Sequence, residues 1–228
     1  MSENKQPFEN EDENEPEIWD EHRWEAFFKE SDKRTDQYSA LLDKYMDHPD
    51  RDSIIAEKMG WLHLLDDIED EKEQWMDDIF SDEFENGEEW KRGTGYESTN
   101  FDSLESLPVY QKTFNFTIDA MDLIDEHLSN VDDEAVSEFA RNVTIPAAKI
   151  AGGFGFGFEM DSIGGNIANC KRGLKSANKV LSALHQIGEK ELLDKEIFIT
   201  FYGRAKEVRD EIAIYIVELR ERFRRGIS

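Results

Sequence analysis

Cysteine is nearly absent from this chain: Cys170 stands alone among 228 residues. An internal disulfide is therefore excluded, which fits a reducing compartment. Long apolar runs are absent too, and without about 18 consecutive apolar residues no membrane-spanning helix is expected. The opening residues, MSENKQPFENEDENEPE, lack the basic start and apolar core of a secretory signal, so the expected location is cytoplasmic. Positive charge is scarce, with 27 Lys and Arg against 53 Asp and Glu and a net charge of −26. That balance disfavours nucleic acid and anionic membranes as partners unless a local basic patch intervenes.

Catalytic signatures are equally thin. None of His22, His48, His63, His127 or His185 has a carboxylate three residues before it, which removes the Glu-x-x-His pairs of a di-metal helical bundle. No Gly-x-Ser-x-Gly elbow occurs. The glycine run GGFGFG at 152–157 lacks the Lys and Ser/Thr of a phosphate loop, and no strand pattern precedes it. No cofactor is expected.

What remains is acid, aromatic residues and helical periodicity. The acidity is uneven: residues 1–90 hold 31 acids and 9 bases, residues 91–228 hold 22 and 18. Residues 1–17, almost devoid of apolar side chains, read as a disordered acidic tail. Residues 18–80 read as an acidic helical hairpin. One helix runs from Asp20 to Met46 on Trp24, Phe27, Phe28, Tyr38, Leu41, Leu42 and Tyr45; His48-Pro49 ends it, and a second runs over 50–80. Residues 81–103, with Gly87, Gly93 and Gly95 among polar neighbours, read as a linker.

Residues 104–228 carry four further helical patterns, and strand alternation is nowhere convincing. The first places Leu107, Tyr110, Phe114, Ile118, Met121 and Leu128 on its inner face. The second, capped by Asp132 or Asp133, runs through to Phe154 with a kink at Pro146. The third opens at Asp161 or Ser162, carries the stripe Ile163, Ile167, Cys170, Leu174, Ala177, Leu181 and Leu184, and stops near Gly188. Asn178 and His185 fall on its inner side. The fourth covers about 189–224. The expected fold is all-α: an antiparallel up-and-down four-helix bundle with an additional acidic N-terminal hairpin.

Between Phe139 and Ile187 only Glu159 and Asp161 are acidic, and six glycines crowd 152–165. Each glycine inside a helix costs about 1 kcal/mol against alanine. Close helix approach or a tight turn is the compensation expected here, with Phe154, Phe156 and Phe158 filling the space alongside.

Residues 141–155, RNVTIPAAKIAGGFG, resemble the RRA-aromatic-or-Val-SIP-A-NIAEGFGR segment of the 23S rRNA intervening-sequence four-helix-bundle proteins. Leu107-Pro108-Val109-Tyr110-Gln111 is similar to that family's opening helix. The resemblance covers residues 104–223 and implies an antiparallel four-helix bundle assembling as a ring, typically a pentamer. The related accessory proteins of diversity-generating retroelements imply a reverse-transcriptase or nucleic-acid partner. Where the family has NIAEG, this chain has Lys149-Ile150-Ala151-Gly152-Gly153.

Two residue groups are candidate sites. Lys171, Arg172, Lys175 and Lys179 lie along one face of the third bundle helix, placed to bind another macromolecule or the chain's own acidic hairpin. Glu69 and Glu73 on the hairpin, and Asp122 and Asp125 on the first bundle helix, recur at helical spacing as in Mg²⁺-dependent all-α nucleotide pyrophosphohydrolases. Glu69 and Asp125 fall near the apolar stripes, and Lys72 or Arg204 is placed to neutralise an inward acid. The expected role is a non-enzymatic, self-associating interaction or scaffold module with a further protein partner. A nucleic-acid or reverse-transcriptase accessory protein and a Mg²⁺-dependent pyrophosphohydrolase are the alternatives.

Overall fold

The computed structural model describes residues 17–63 and 104–227. They divide into two compact units, one comprising residues 17–25 and 104–227, the other residues 26–63. Among the described residues the structure is all-α, and no helix is long and apolar enough to cross a membrane. The stretches expected as an acidic tail (1–16), the end of the hairpin (64–80) and the linker (81–103) lie outside the described residues.

Helix α1 (Glu21–Tyr45) starts where Asp20 accepts the backbone N–H groups of His22 and Arg23 at 3.0 and 2.8 Å. Its first residues belong to the larger unit and the remainder to the smaller. None of its residues is fully buried. In the smaller unit, α2 (Arg51–Met59) ends far sooner than the expected 50–80 helix. Gly60 adopts the left-handed conformation at φ +72° and closes the last turn. Tyr38 packs against Trp61 with ring centroids 5.8 Å apart, and the Lys58 ammonium lies over the Tyr45 ring.

The larger unit is built on α6 (Ile163–Glu189), against which α4 (Glu134–Val143), α5 (Ile145–Phe156) and α7 (Lys195–Ile227) all pack. Helix α3 (Pro108–Leu123) packs on α7, α5 and α4. Proline opens α3 at a position whose N–H would have no helical partner anyway. Asp133 caps α4 by accepting from the Ala135 N–H at 2.8 Å. The expected single helix across Pro146 is two helices. The chain breaks at Thr144 and Pro146 becomes a first-turn residue of α5, because its ring cannot supply an interior N–H. Helix α5 stops at Gly157, φ +92°. Ser162 precedes α6, which runs one residue past Gly188; Gly188 itself serves as a seat for the Phe198 ring.

Eight consecutive residues of α6, Ile163 to Cys170, are buried. A helix apolar or small all round must be covered on every side, and here it is. Gly153 of α5 faces Asn166 and Cys170 so closely that a Cβ would lie 2.7 Å from the Asn166 side-chain oxygen. Close approach therefore explains Gly153, while Gly152 and Gly155 have open space around them and nothing in the structure explains them. Asn178 and His185, expected on the inner side of α6, are exposed; they fall on the flank its neighbours do not cover, and His185 lies 3.6 Å from Glu189.

Helix α3 corrects the expected burial most sharply. Its inner face is Val109, Thr113, Phe116, Thr117, Ala120 and Leu123. Phe114, Ile118 and Met121, expected inside, are 44, 44 and 47% exposed. Both buried threonines are satisfied locally: Thr113 donates to the Val109 carbonyl at 2.6 Å, and Thr117 lies 3.0 Å from that of Thr113 and 3.1 Å from that of Val143. The second contact ties α3 to the end of α4. Ser176 on α6 likewise donates to the Asn142 side-chain oxygen at 2.9 Å. With its threonines satisfied, this face fits against its neighbours, and the stripe of Phe114, Ile118 and Met121 is turned away. The helix then widens into a single π-turn, Ile124–Leu128.

Phe139 is completely buried in the common core. Phe139→Ala should lower unfolding free energy by about 3–5 kcal/mol in urea titration. Phe114→Ala on the outward stripe of α3 should cost under about 1 kcal/mol, although its sequence pattern places Phe114 inside.

Candidate interaction site

Lys171 and Arg172 sit side by side on α6, nearly two helical turns beyond the glycine pair Gly164-Gly165, and Arg220 reaches the same place from α7. All three cations meet carboxylates from the N-terminal segment of the chain. Lys171 donates to Glu21 at 2.9 Å. Arg220 forms a two-pronged contact with Glu21, its Nε 2.8 Å from Oε2 and its Nη2 2.6 Å from Oε1. Arg172 donates to Glu25 at 2.9 Å. Glu21 is only 12% exposed. The Arg220 guanidinium, with Lys171 beside it, holds its carboxyl at about 2, against the opposing effect of burial.

The apolar half of the contact is made by tryptophan. Trp24 packs edge-on against Phe156, centroids 5.0 Å apart, and against Trp19 at 5.3 Å. The floor is glycine. A Cβ on Gly164 would overlap the Trp19 carbonyl oxygen and come within 2.8 Å of Trp24, and one on Gly165 would lie 2.9 Å from Phe156 and 3.2 Å from Trp24. Thus two of the glycines crowded into 152–165 make room for residues Glu17–Glu25. Phe158, the next of the interleaved phenylalanines, lies beneath the Arg222 guanidinium at 4.9 Å.

The four bases selected from sequence do not form one continuous strip. Lys171 and Arg172 face Glu21 and Glu25, Lys179 lies 3.3 Å from Glu138 on α4, and Lys175 is exposed with no partner among the described residues. Glu21, Glu25, Trp24 and Arg220 complete the site. Charge asymmetry pointed to an acidic N-terminal cover for these bases. The partners themselves depend on which turn of α1 lies against α6, and periodicity groups Trp24 with Phe27 and Phe28 instead.

Glu69 and Glu73 lie outside the described residues. Asp122 and Asp125 are both exposed, and among the described residues no three His, Cys, Asp or Glu side chains converge to hold a metal. The placement of Asp125 near the apolar stripe is corrected by the rotation of α3 and its π-turn. Asp119, their neighbour, pairs with Arg204. Cys170 is fully buried and burial pushes its thiol up to about 12, so it is held as a thiol. Burial likewise raises the Tyr215 hydroxyl above its usual range.

No protein-family model, no curated protein and no solved structure matches the chain.

Because the carboxyl of Glu21 is depressed in the folded protein, its contribution is present above the ordinary value near 4.5 and is lost as pH falls towards 2. Glu21→Gln should cost about 1–2 kcal/mol at pH 7. The gap between variant and native protein should close across pH 4.5 to 2 when unfolding is followed by circular dichroism. A gap independent of pH would show that the carboxylate charge is not what holds the segment.

Proposed function

We propose that this chain is a non-enzymatic helical-bundle interaction module that self-associates through the outward stripe of α3. In this reading α3, the broken α4–α5 rod, α6 and α7 are the four up-and-down members of the bundle. The observation that carries it is the inversion of α3: the face bearing Phe114, Ile118 and Met121 is left to solvent while a Thr/Ala-containing face is buried. Tyr110, partly buried against the core, stacks its ring on Phe114 at 5.7 Å. On α7, Ile214 and Val217 are also half exposed. Scattered surface apolar residues need no explanation, but an ordered stripe of large ones along one helix is a contact surface.

The composition of residues 91–228, with 22 acids and 18 bases, removes most of the self-repulsion that the whole-chain charge implies. The likeness of residues 141–155 to the intervening-sequence proteins, whose members form rings, fits the same reading. Lys171, Arg172 and Lys179 face carboxylates of their own chain, which weighs against using them as a phosphate-binding strip.

Light scattering should give a mass of several copies at micromolar concentration, undiminished at 1 M salt, because salt screens the acid–acid repulsion and does not weaken apolar contact. Phe114→Glu together with Ile118→Glu should lower the assembly mass while leaving the helical signal unchanged. A native protein of one-copy mass at both salts sinks the proposal.

A further inference from the structure

Residues Glu17–Glu25 form a small recognition element with internal order of its own. Asp20 caps the first helical turn, Arg23 lies over the Trp19 ring at 4.7 Å and pairs with Glu17, and Trp19 packs edge-on to Trp24. The acceptor is a slot floored by Gly164 and Gly165, walled by Phe156 and rimmed by Lys171, Arg172 and Arg220. Shape and charge select the same ligand: a helical turn presenting one tryptophan, with a carboxylate three residues before it and another one after it. Trp24, Glu21 and Glu25 have that spacing.

The attachment of this element is local. No residue of α1 is fully buried, so its first turn is held by the contacts just described. In sequence, residues 26–103 separate it from the helices that form the slot, and every bond across the contact is non-covalent. Nothing in such a contact distinguishes the chain's own segment from that of an identical neighbour. We propose that the slot is a binding site for an acidic, tryptophan-bearing helical turn, and that residues 17–25 of a second copy exchange into it. The exchange links copies at a place distinct from the α3 stripe and requires no new surface.

A reciprocal charge swap tests this in the full chain, built on the Phe114→Glu, Ile118→Glu background so that the α3 stripe contributes nothing. One variant carries Glu21→Arg, the other Arg220→Glu. Within either variant the segment and the slot now meet with like charge. Across the two variants both pairings are restored, so only exchange between copies relieves the repulsion. Mixing should produce a one-to-one assembly by light scattering, with at least tenfold tighter association than either variant shows with itself. The single-chain double variant E21R/R220E should regain the thermal midpoint of the background. Glu25→Arg with Arg172→Glu is the second pair, used in the same way should either first variant fail to fold. If mixing yields no joint species with either pair while the single-chain doubles recover, the segment docks only on its own chain and the exchange is refuted. Doubles that fail to recover refute the charge-matched slot itself. Neither result bears on the α3 stripe, whose test stands apart.

Discussion

The complete burial of the first eight residues of α6 is the constraint on which the larger unit depends. Ile163 to Cys170 are buried at every position, so each side of the helix requires a neighbour at close range. The sequence meets that requirement with small residues at the contacts. Gly153 lets α5 approach Asn166 and Cys170, Gly173 sits 3.3 Å from the Lys149 side chain at its Cβ position, and Gly164-Gly165 admit Trp24. The helical propensity lost at these glycines, about 1 kcal/mol each, is offset by the dispersion and apolar burial that close approach allows.

Electrostatics then decides where the N-terminal segment attaches. In a chain with 53 acids and 27 bases, only about half of the carboxylates can each have a cation of their own. Glu21 differs because two cations from separate helices converge on it, and their joint pull outweighs its desolvation. Tryptophan contributes the apolar area that an exposed ion pair alone would not supply. Together they fix a short turn of α1 although the rest of that helix buries little.

Several features were legible in the residues themselves. Helical class, the Asp133 cap, the disruption at Pro146 and the buried stripe of α6 follow from periods and local chemistry that act over three or four residues. Helix α3 was misjudged for a definable reason. Its apolar residues fall on two faces, Phe114, Ile118 and Met121 on one and Val109, Phe116 and Leu123 beside the threonines on the other, and pattern alone favours burying the face without hydroxyls. The threonine hydroxyls bond to carbonyls four residues back, and Thr117 also to Val143, so the polar cost of burial is offset and this face packs inward. Of the basic quartet, Lys171 and Arg172 face Glu21 and Glu25, Lys179 turns to Glu138 and Lys175 to solvent, a division set by what neighbouring helices place opposite each.

Sequence by itself determined the all-α class of the described residues, where Asp133 caps and Pro146 interrupts a helix, and that the acid is concentrated ahead of residue 91. These are properties of neighbours along the chain. Tertiary structure alone decided which face of α3 turns inward, which of the crowded glycines serve close approach, and that Glu21 rather than another of the 53 acids sits between Lys171 and Arg220. Each of those outcomes depends on what a distant helix places opposite, and helix faces with similar periodicity are told apart only by the shape and hydrogen-bonding capacity of the surface they meet.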